Sequence, residues 1–179
     1  MEKITITKEM MEAARDYVSN AEKEAFVAEC ATKCFDKLAI TADGEAAPDM
    51  YMVNSGLKAR YLMGAFAVLY LNRTDVSFEE TDALLMTSES YDLWAGSHVL
   101  NQVERWKRDS DLRDKCYDLL ADYKDLEKRL STQINGLLNV MNDSVMRQNE
   151  YMAAQVKELP AMMEKLKELQ EGKGEEDGG

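Results

Sequence analysis

His98 is the only histidine among 179 residues, so any Ser–His–Asp or Cys–His relay would have to be built on it. Its neighbour Ser97 sits in WAGSHVL, which is no G-x-S-x-G elbow, and adjacent residues on a helix do not face each other. Trp94, His98, Asn101 and Arg105 follow at i, i+4, i+7 and i+11, one helical face. Helix–helix packing with a hydrogen-bonded imidazole is the expected use of that face. Cys30 and Cys34 are also i, i+4, a spacing that gives two zinc ligands where a closed site needs four. The other soft ligands, Cys116 and His98, are distant and carry no paired spacing, so the cysteines are expected in the core. The chain holds no P-loop, G-x-G-x-x-G, H-E-x-x-H or EF-hand loop. No catalytic residue, metal site or cofactor is therefore assigned, and a non-enzymatic protein is expected.

The pattern that does call for a purpose is acidic. Asp111, Asp114, Asp118, Asp122 and Asp125 are separated by 3, 4, 4 and 3 residues, which puts five carboxylates on one stripe of one helix. Neighbours in such a stripe lie about 5–6 Å apart and repel. Pairs such as Asp111–Lys115 and Asp125–Arg129 can relieve that repulsion, giving an ordinary solvated face. The alternative use is recognition: a row of fixed negative charge can engage a basic nucleic-acid channel as phosphates would, with salt-sensitive association. These five aspartates are the candidate partner-binding residues.

The elements that must carry these residues read as helices. Thr7 is a candidate N-cap with Ile6 and Met11 as a hydrophobic staple, predicting a helix from Lys8 to about Val18. Ser19 and Glu22 form an S-x-x-E capping box, followed by Phe26, Val27, Cys30, Ala31, Cys34, Phe35 and Leu38 at helical spacing. Thr41–Asp49, with Gly44 and Pro48, reads as a loop. Met50 to Leu71 predicts the central helix, loosened near Asn54-Ser55-Gly56. Ser77 and Glu80 predict a second capping box and a short helix to Met86. Thr87 or Ser88 then caps a helix through Arg108, and Ser110 is the next candidate cap.

From Leu112 the apolar residues change rhythm. Leu112, Cys116, Leu119, Tyr123, Leu126 and Leu130 alternate by 4 and 3, the seam of a coiled coil. The seam continues through Ile134, Leu137, Met141 and Val145, weakens over Asn139–Glu150, and resumes at Met152, Val156, Leu159, Met163 and Leu166. A helix from Asp111 to Gln170 would be about 90 Å long. Part of its seam must then meet another chain, or the helix must fold back near Gly136 or break at Pro160. The twelve methionines include Met141, Met146, Met152, Met162 and Met163 in this stretch, and methionine adapts to cores and binding surfaces alike.

The expected fold is all-α: a compact helical body over 1–108, a long heptad-patterned C-terminal helical arm over 109–171, and a disordered acidic tail over 172–179. Composition sets the outer limits. With 45% hydrophobic and 31% charged residues the chain can bury a core. Its net charge of −12 disfavours direct binding of nucleic acid or an anionic membrane. The longest apolar run, Leu62 to Leu71, is about half a membrane span. MEKITITKEM lacks the basic and apolar regions of a secretory signal, and three cysteines cannot all pair. A cytoplasmic location is expected.

Two stretches, MYMVNSGLKARYLMGAF (Met50–Phe66) and WAGSHVLNQVERWKRDSDLRDKCYDLLADYKDLEKRL (Trp94–Leu130), resemble small proteins of phages and prophages of gut clostridia. Among those are anti-CRISPR inhibitors of type II RNA-guided nucleases, and the chain resembles that class. The resemblance implies a host-cytoplasmic protein that binds and inhibits a CRISPR nuclease without chemistry of its own. It carries no functional residue to a position here. Tail-assembly and other morphogenesis proteins of phages share the same style. The alternative expectation is such an assembly protein, a homo-oligomer through residues 112–166.

Overall fold

The computed structural model describes the backbone of residues 3–38, 41–42, 45–46 and 50–172 and the side chains of 3–37 and 50–167. Gly44, Pro48 and residues 173–179 of the expected acidic tail lie outside the described residues. The chain divides into two compact units, one of residues 1–36 and 52–138 and one of residues 37–51 and 139–179. The division therefore falls inside the last helix at 138/139, whereas the change of apolar rhythm had placed the start of the arm at 109. Among the described residues the chain is mostly helical but carries short two-stranded sheets, so it is not all-α.

In the first unit Thr7 caps α1 (Lys8–Ala13), its hydroxyl accepting from the Met10 N–H at 3.3 Å. Ile6 and Met11 are both buried. The helix stops earlier than Val18 because Ala14 turns extended. Ser19 and Glu22 make both bonds of the capping box at the start of α2 (Asn20–Cys30). A 3₁₀ turn (Ala31–Lys33) ends that helix, and Phe35–Leu38 forms strand β1 where helical spacing had suggested continuation.

Strands β2 (Thr41–Ala42) and β3 (Glu45–Ala46) pair antiparallel within the expected loop, and β1 pairs with β4 (Met50–Val53). The predicted central helix thus begins later. Asn54 caps α3 (Ser55–Ala65), accepting from the Leu57 N–H at 2.9 Å. α3 runs into a π-helical turn (Phe66–Tyr70), after which Asn72 adopts a left-handed conformation that ends it. Its residues Tyr61–Ala67 and Tyr70 are buried, as a core helix requires.

The segment after Ser77 is a hairpin, not a helix: β5 (Phe78–Glu79) pairs with β6 (Asp82–Met86). Two contacts explain the outcome. Asp82 takes hydrogen bonds from its own turn, at the Leu84 N–H (3.1 Å), and from the Tyr61 hydroxyl and the Lys33 ammonium. Gly64 lets the hairpin lie close on α3, since a Cβ there would stand 3.0 Å from the Leu84 carbonyl and 3.0 Å from the Phe78 ring. Tertiary packing overrides the local capping pattern.

Thr87 caps α4 (Ser88–Gly96), accepting from the Ser90 N–H at 3.2 Å. The expected single helix to Arg108 is broken at Ser97-His98. α5 (Val99–Arg105) follows, then a 3₁₀ turn (Trp106–Arg108). Ser110 caps nothing; its hydroxyl bonds Asp111 at 3.2 Å.

The last helix, α6 (Arg113–Gly172), is one element of 60 residues. It continues through Gly136 and Pro160, so neither the fold-back nor the break occurs. An interior proline costs about 3 kcal/mol of helix stability. In the first unit the core-facing row before and along α6, from Leu112 through Leu119, Leu126 and Leu130 to Ile134, is buried. Tyr123 meets Phe66 edge-on at 4.8 Å and Tyr70 at 5.7 Å. This half of the seam is the wall of the chain's own core.

In the second unit the α6 residue Asn142 holds the backbone of Tyr51. Its Oδ1 accepts the Tyr51 N–H at 3.0 Å, and its Nδ2 donates to the Tyr51 carbonyl at 3.2 Å. Asn142, next to the seam residue Met141, thereby satisfies both backbone groups of Tyr51 in strand β4. Among the described residues no helix is long and apolar enough to cross a membrane.

Replacing Gly64 by alanine is expected to destabilise the fold by about 1–3 kcal/mol, because the hairpin backbone must move. Urea denaturation followed by circular dichroism checks this. An unchanged midpoint would show that the hairpin does not rest on α3.

Candidate functional site

The five aspartates differ in what they bind. Asp111 precedes α6 and is exposed, 3.8 Å from the Lys8 ammonium. Because it lies before the helix, the i, i+4 pair with Lys115 does not form. Lys115 instead pairs with Asp16 at 3.3 Å and donates to the Glu12 carbonyl at 2.8 Å. Asp114 and Asp118 are exposed on the first turns of α6 and make no hydrogen bond or ion pair among the described residues. Asp122, mostly buried, and Asp125, part-exposed, lie one turn on and share one partner.

That partner is Lys23, whose side chain is only 3% exposed. Its ammonium donates to Asp122 Oδ1 and, at 3.0 Å, to Asp125 Oδ2. Asp122 Oδ2 also accepts the Val18 N–H at 3.2 Å, and its backbone carbonyl accepts the Tyr70 hydroxyl at 3.2 Å. Arg129 reinforces the cluster, donating to Asp125 at 2.9 Å (the predicted i, i+4 pair) and to Asn20 at 3.1 Å. Burial pulls the Lys23 ammonium toward lower pKa, but the bonds to Asp122 and Asp125 outweigh it and hold the group above its ordinary value. The Lys23 hydrogen bond, opposed by burial and helped by Arg129, keeps Asp125 below the usual carboxylate range. Two of the five candidate residues are therefore anchors of the fold.

The negative surface that remains is Asp114 and Asp118, with Asp16 at 85% exposure. Asp16 and Tyr17 face Asp118, Ala121, Asp122 and Asp125 across an open concavity of about 490 Å³, so three of the five aspartates line one acidic hollow.

The positions considered for chemistry are arranged otherwise than a relay needs. His98 is exposed in a left-handed conformation between α4 and α5, so the expected continuous helical face from Trp94 to Arg105 is broken, although His98, Asn101 and Arg105 still line one shallow concavity with Lys3. The Ser97 hydroxyl donates to the Leu93 carbonyl at 2.7 Å and accepts the Ile4 N–H at 2.9 Å. Cys30, Cys34 and Cys116 are buried and free. Burial pushes the Cys34 thiol up to about 11 and the Cys30 thiol higher, so both stand as neutral thiols at neutral pH. Among the described residues no group of three or more His, Cys, Asp or Glu side chains is placed to hold a metal ion.

The other surface of interest is apolar. Met152, Val156, Leu159, Met163 and Leu166 are each 51–68% exposed. The same heptad rhythm that builds the core before Ile134 here faces solvent.

No protein-family model, curated protein or solved structure matches the chain.

Sequence reasoning missed Lys23 and Asn142. For Lys23 a signal was present: the capping box sets the phase of α2, and Lys23 falls three and seven residues before Phe26 and Cys30, on their face. Exchange of Lys23 for methionine is expected to cost about 3 kcal/mol, the lower end for a broken buried ion pair, since Asp125 is part-exposed. Chemical denaturation measures it, and a loss below about 0.5 kcal/mol, as for a surface pair, would contradict the anchoring role.

The pH dependence follows from the same groups. Asp125 is depressed, so its contribution is present above the ordinary carboxylate pKa and is lost as pH falls through its folded value. Glu22, held at about 2 by Arg15 and Ser19, behaves alike. Lys23 is raised, so its contribution is present below the ordinary lysine value and lost above its folded one. Thermal unfolding scans should give a plateau across neutral pH and a progressive fall between about pH 4 and pH 2. A midpoint that declines already between pH 8 and pH 6 would contradict this assignment.

Proposed function

We propose that this protein performs no chemistry and acts by binding another macromolecule through its long C-terminal helix. The observation that carries the reading is the solvent-facing apolar row from Met152 to Leu166. Monomeric proteins seldom leave a contiguous row of large apolar side chains in water unless it is an interaction site. The finer form that this row favours is a structural or assembly protein that associates through the helix. Methionine at two of the five positions, Met152 and Met163, suits a surface that repacks against its partner.

A second reading rests on the other surface. Asp16, Asp114 and Asp118 are carboxylates on an exposed face of a chain with net charge −12. Such a face suits a basic nucleic-acid-binding surface on a host protein, as an inhibitor of a type II CRISPR nuclease in the bacterial cytoplasm would use. Asp122 and Asp125 would support this face by fixing the helix that bears it.

A cleavage assay with a type II RNA-guided nuclease tests the second reading. Stoichiometric protein should suppress cleavage, and the Asp114→Lys, Asp118→Lys double variant should weaken suppression by about tenfold or more, with loss of effect at high salt. Full cleavage at large molar excess in low salt contradicts inhibition, and leaves the apolar row as the working surface.

A further inference from the structure

The apolar row has a charge pattern that identifies its occupant. With Val156 and Met163 at heptad position a, and Met152, Leu159 and Leu166 at d, the flanking e and g positions from 145 to 166 are Met146, Gln148, Ala153, Gln155, Pro160 and Met162. No charge stands at a, d, e or g from 145 to 166, and the first is Lys167, at e just past Leu166. All six charged residues, Arg147, Glu150, Lys157, Glu158, Glu164 and Lys165, fall at b, c and f, and they are three basic and three acidic. A chain of net charge −12 is thus neutral here, and two copies of the segment do not repel.

From this we infer that the occupant is other copies of the same chain, and that the assembly is a bundle of three or more α6 helices. The inference rests on the proposed binding role of α6 and gives that role its partner. Width sets the number of helices. A two-stranded coiled coil buries a and d and lines e and g with charge, whereas a helix facing a bundle core is also apolar at e or g. Met146 and Met162 are over half exposed at those flanking positions, and a pair of helices would leave them at its edge. Pro160 adds a second constraint. Residues 151–167 are exposed all round, and the helix still runs through a proline. Both features call for a partner present wherever the protein is present, which a second copy is.

Light scattering on the full chain after size exclusion tests this at micromolar concentration. The expected mass is at least three times 20.3 kDa and is unchanged in 1 M salt, since the face is uncharged. The Val156→Glu, Met163→Glu double variant should run at 20.3 kDa with its body still folded by near-ultraviolet circular dichroism, while Lys157→Glu on the polar face should keep the wild-type mass. A wild-type monomer or dimer overturns the inference, as does a double variant that keeps the assembled mass. A monomer that still binds a foreign protein through α6 overturns this inference alone. Turnover of a small molecule by the purified chain overturns the binding role, whatever the mass.

Discussion

A lysine ammonium taken out of water is stable only where carboxylates replace its hydration, and Lys23 has two, Asp122 and Asp125. That single requirement fixes the register of α2 against α6. It also places Val18, whose N–H shares Asp122, and sets the height of the π-helical turn, whose Tyr70 hydroxyl reaches the Asp122 carbonyl. Phe66, Tyr70 and Tyr123 then close over one another beside the cluster. An ion cluster of this kind adds little net stability compared with an apolar substitute of equal shape. What it adds is a penalty on every arrangement that parts the charges.

The long helix serves two environments with one rhythm. Up to Ile134 its apolar row is the wall of a core, and removal of water from Leu119, Leu126 and Leu130 stabilises the fold by about 1.5–3 kcal/mol each. From Met152 to Leu166 the same spacing is exposed among the described residues. Asn142 lies between, next to the seam, and satisfies both backbone groups of Tyr51. A heptad pattern therefore states that a face will be buried, and leaves open by what.

Much of the helical architecture was legible in the residues. Thr7, Ser19 and Thr87 cap where their side chains and the following residues indicated, because capping is decided within four residues of chain. The seam of α6 was legible for the same reason, being periodic and long. Strand β6 was not, because DALLM becomes a strand through Gly64 and Tyr61, which lie some twenty residues away. The break at Ser97-His98 has a similar cause: Ser97 and Gln102 are bound to the backbone of the N-terminal segment at Ile4 and Ile6, a contact across more than ninety residues. The aspartate stripe was visible as a spacing, but its division into anchors and free carboxylates depends on where Lys23 sits. Spacing shows which residues share a face, not what lies opposite it.

A protein built this way keeps its ionisable groups for holding helices together and leaves its largest unburied apolar surface on one helix. The thiols are buried, the one histidine is exposed, and the carboxylates of Asp114 and Asp118 lie on an outer face. The most direct measurement is amide hydrogen exchange along α6 in the full chain as a function of protein concentration. The account predicts strong protection over 113–134 at every concentration, and protection over 145–166 that rises as the protein is concentrated. Exchange over 145–166 that is equally slow at high dilution, or equally fast at every concentration, would contradict it.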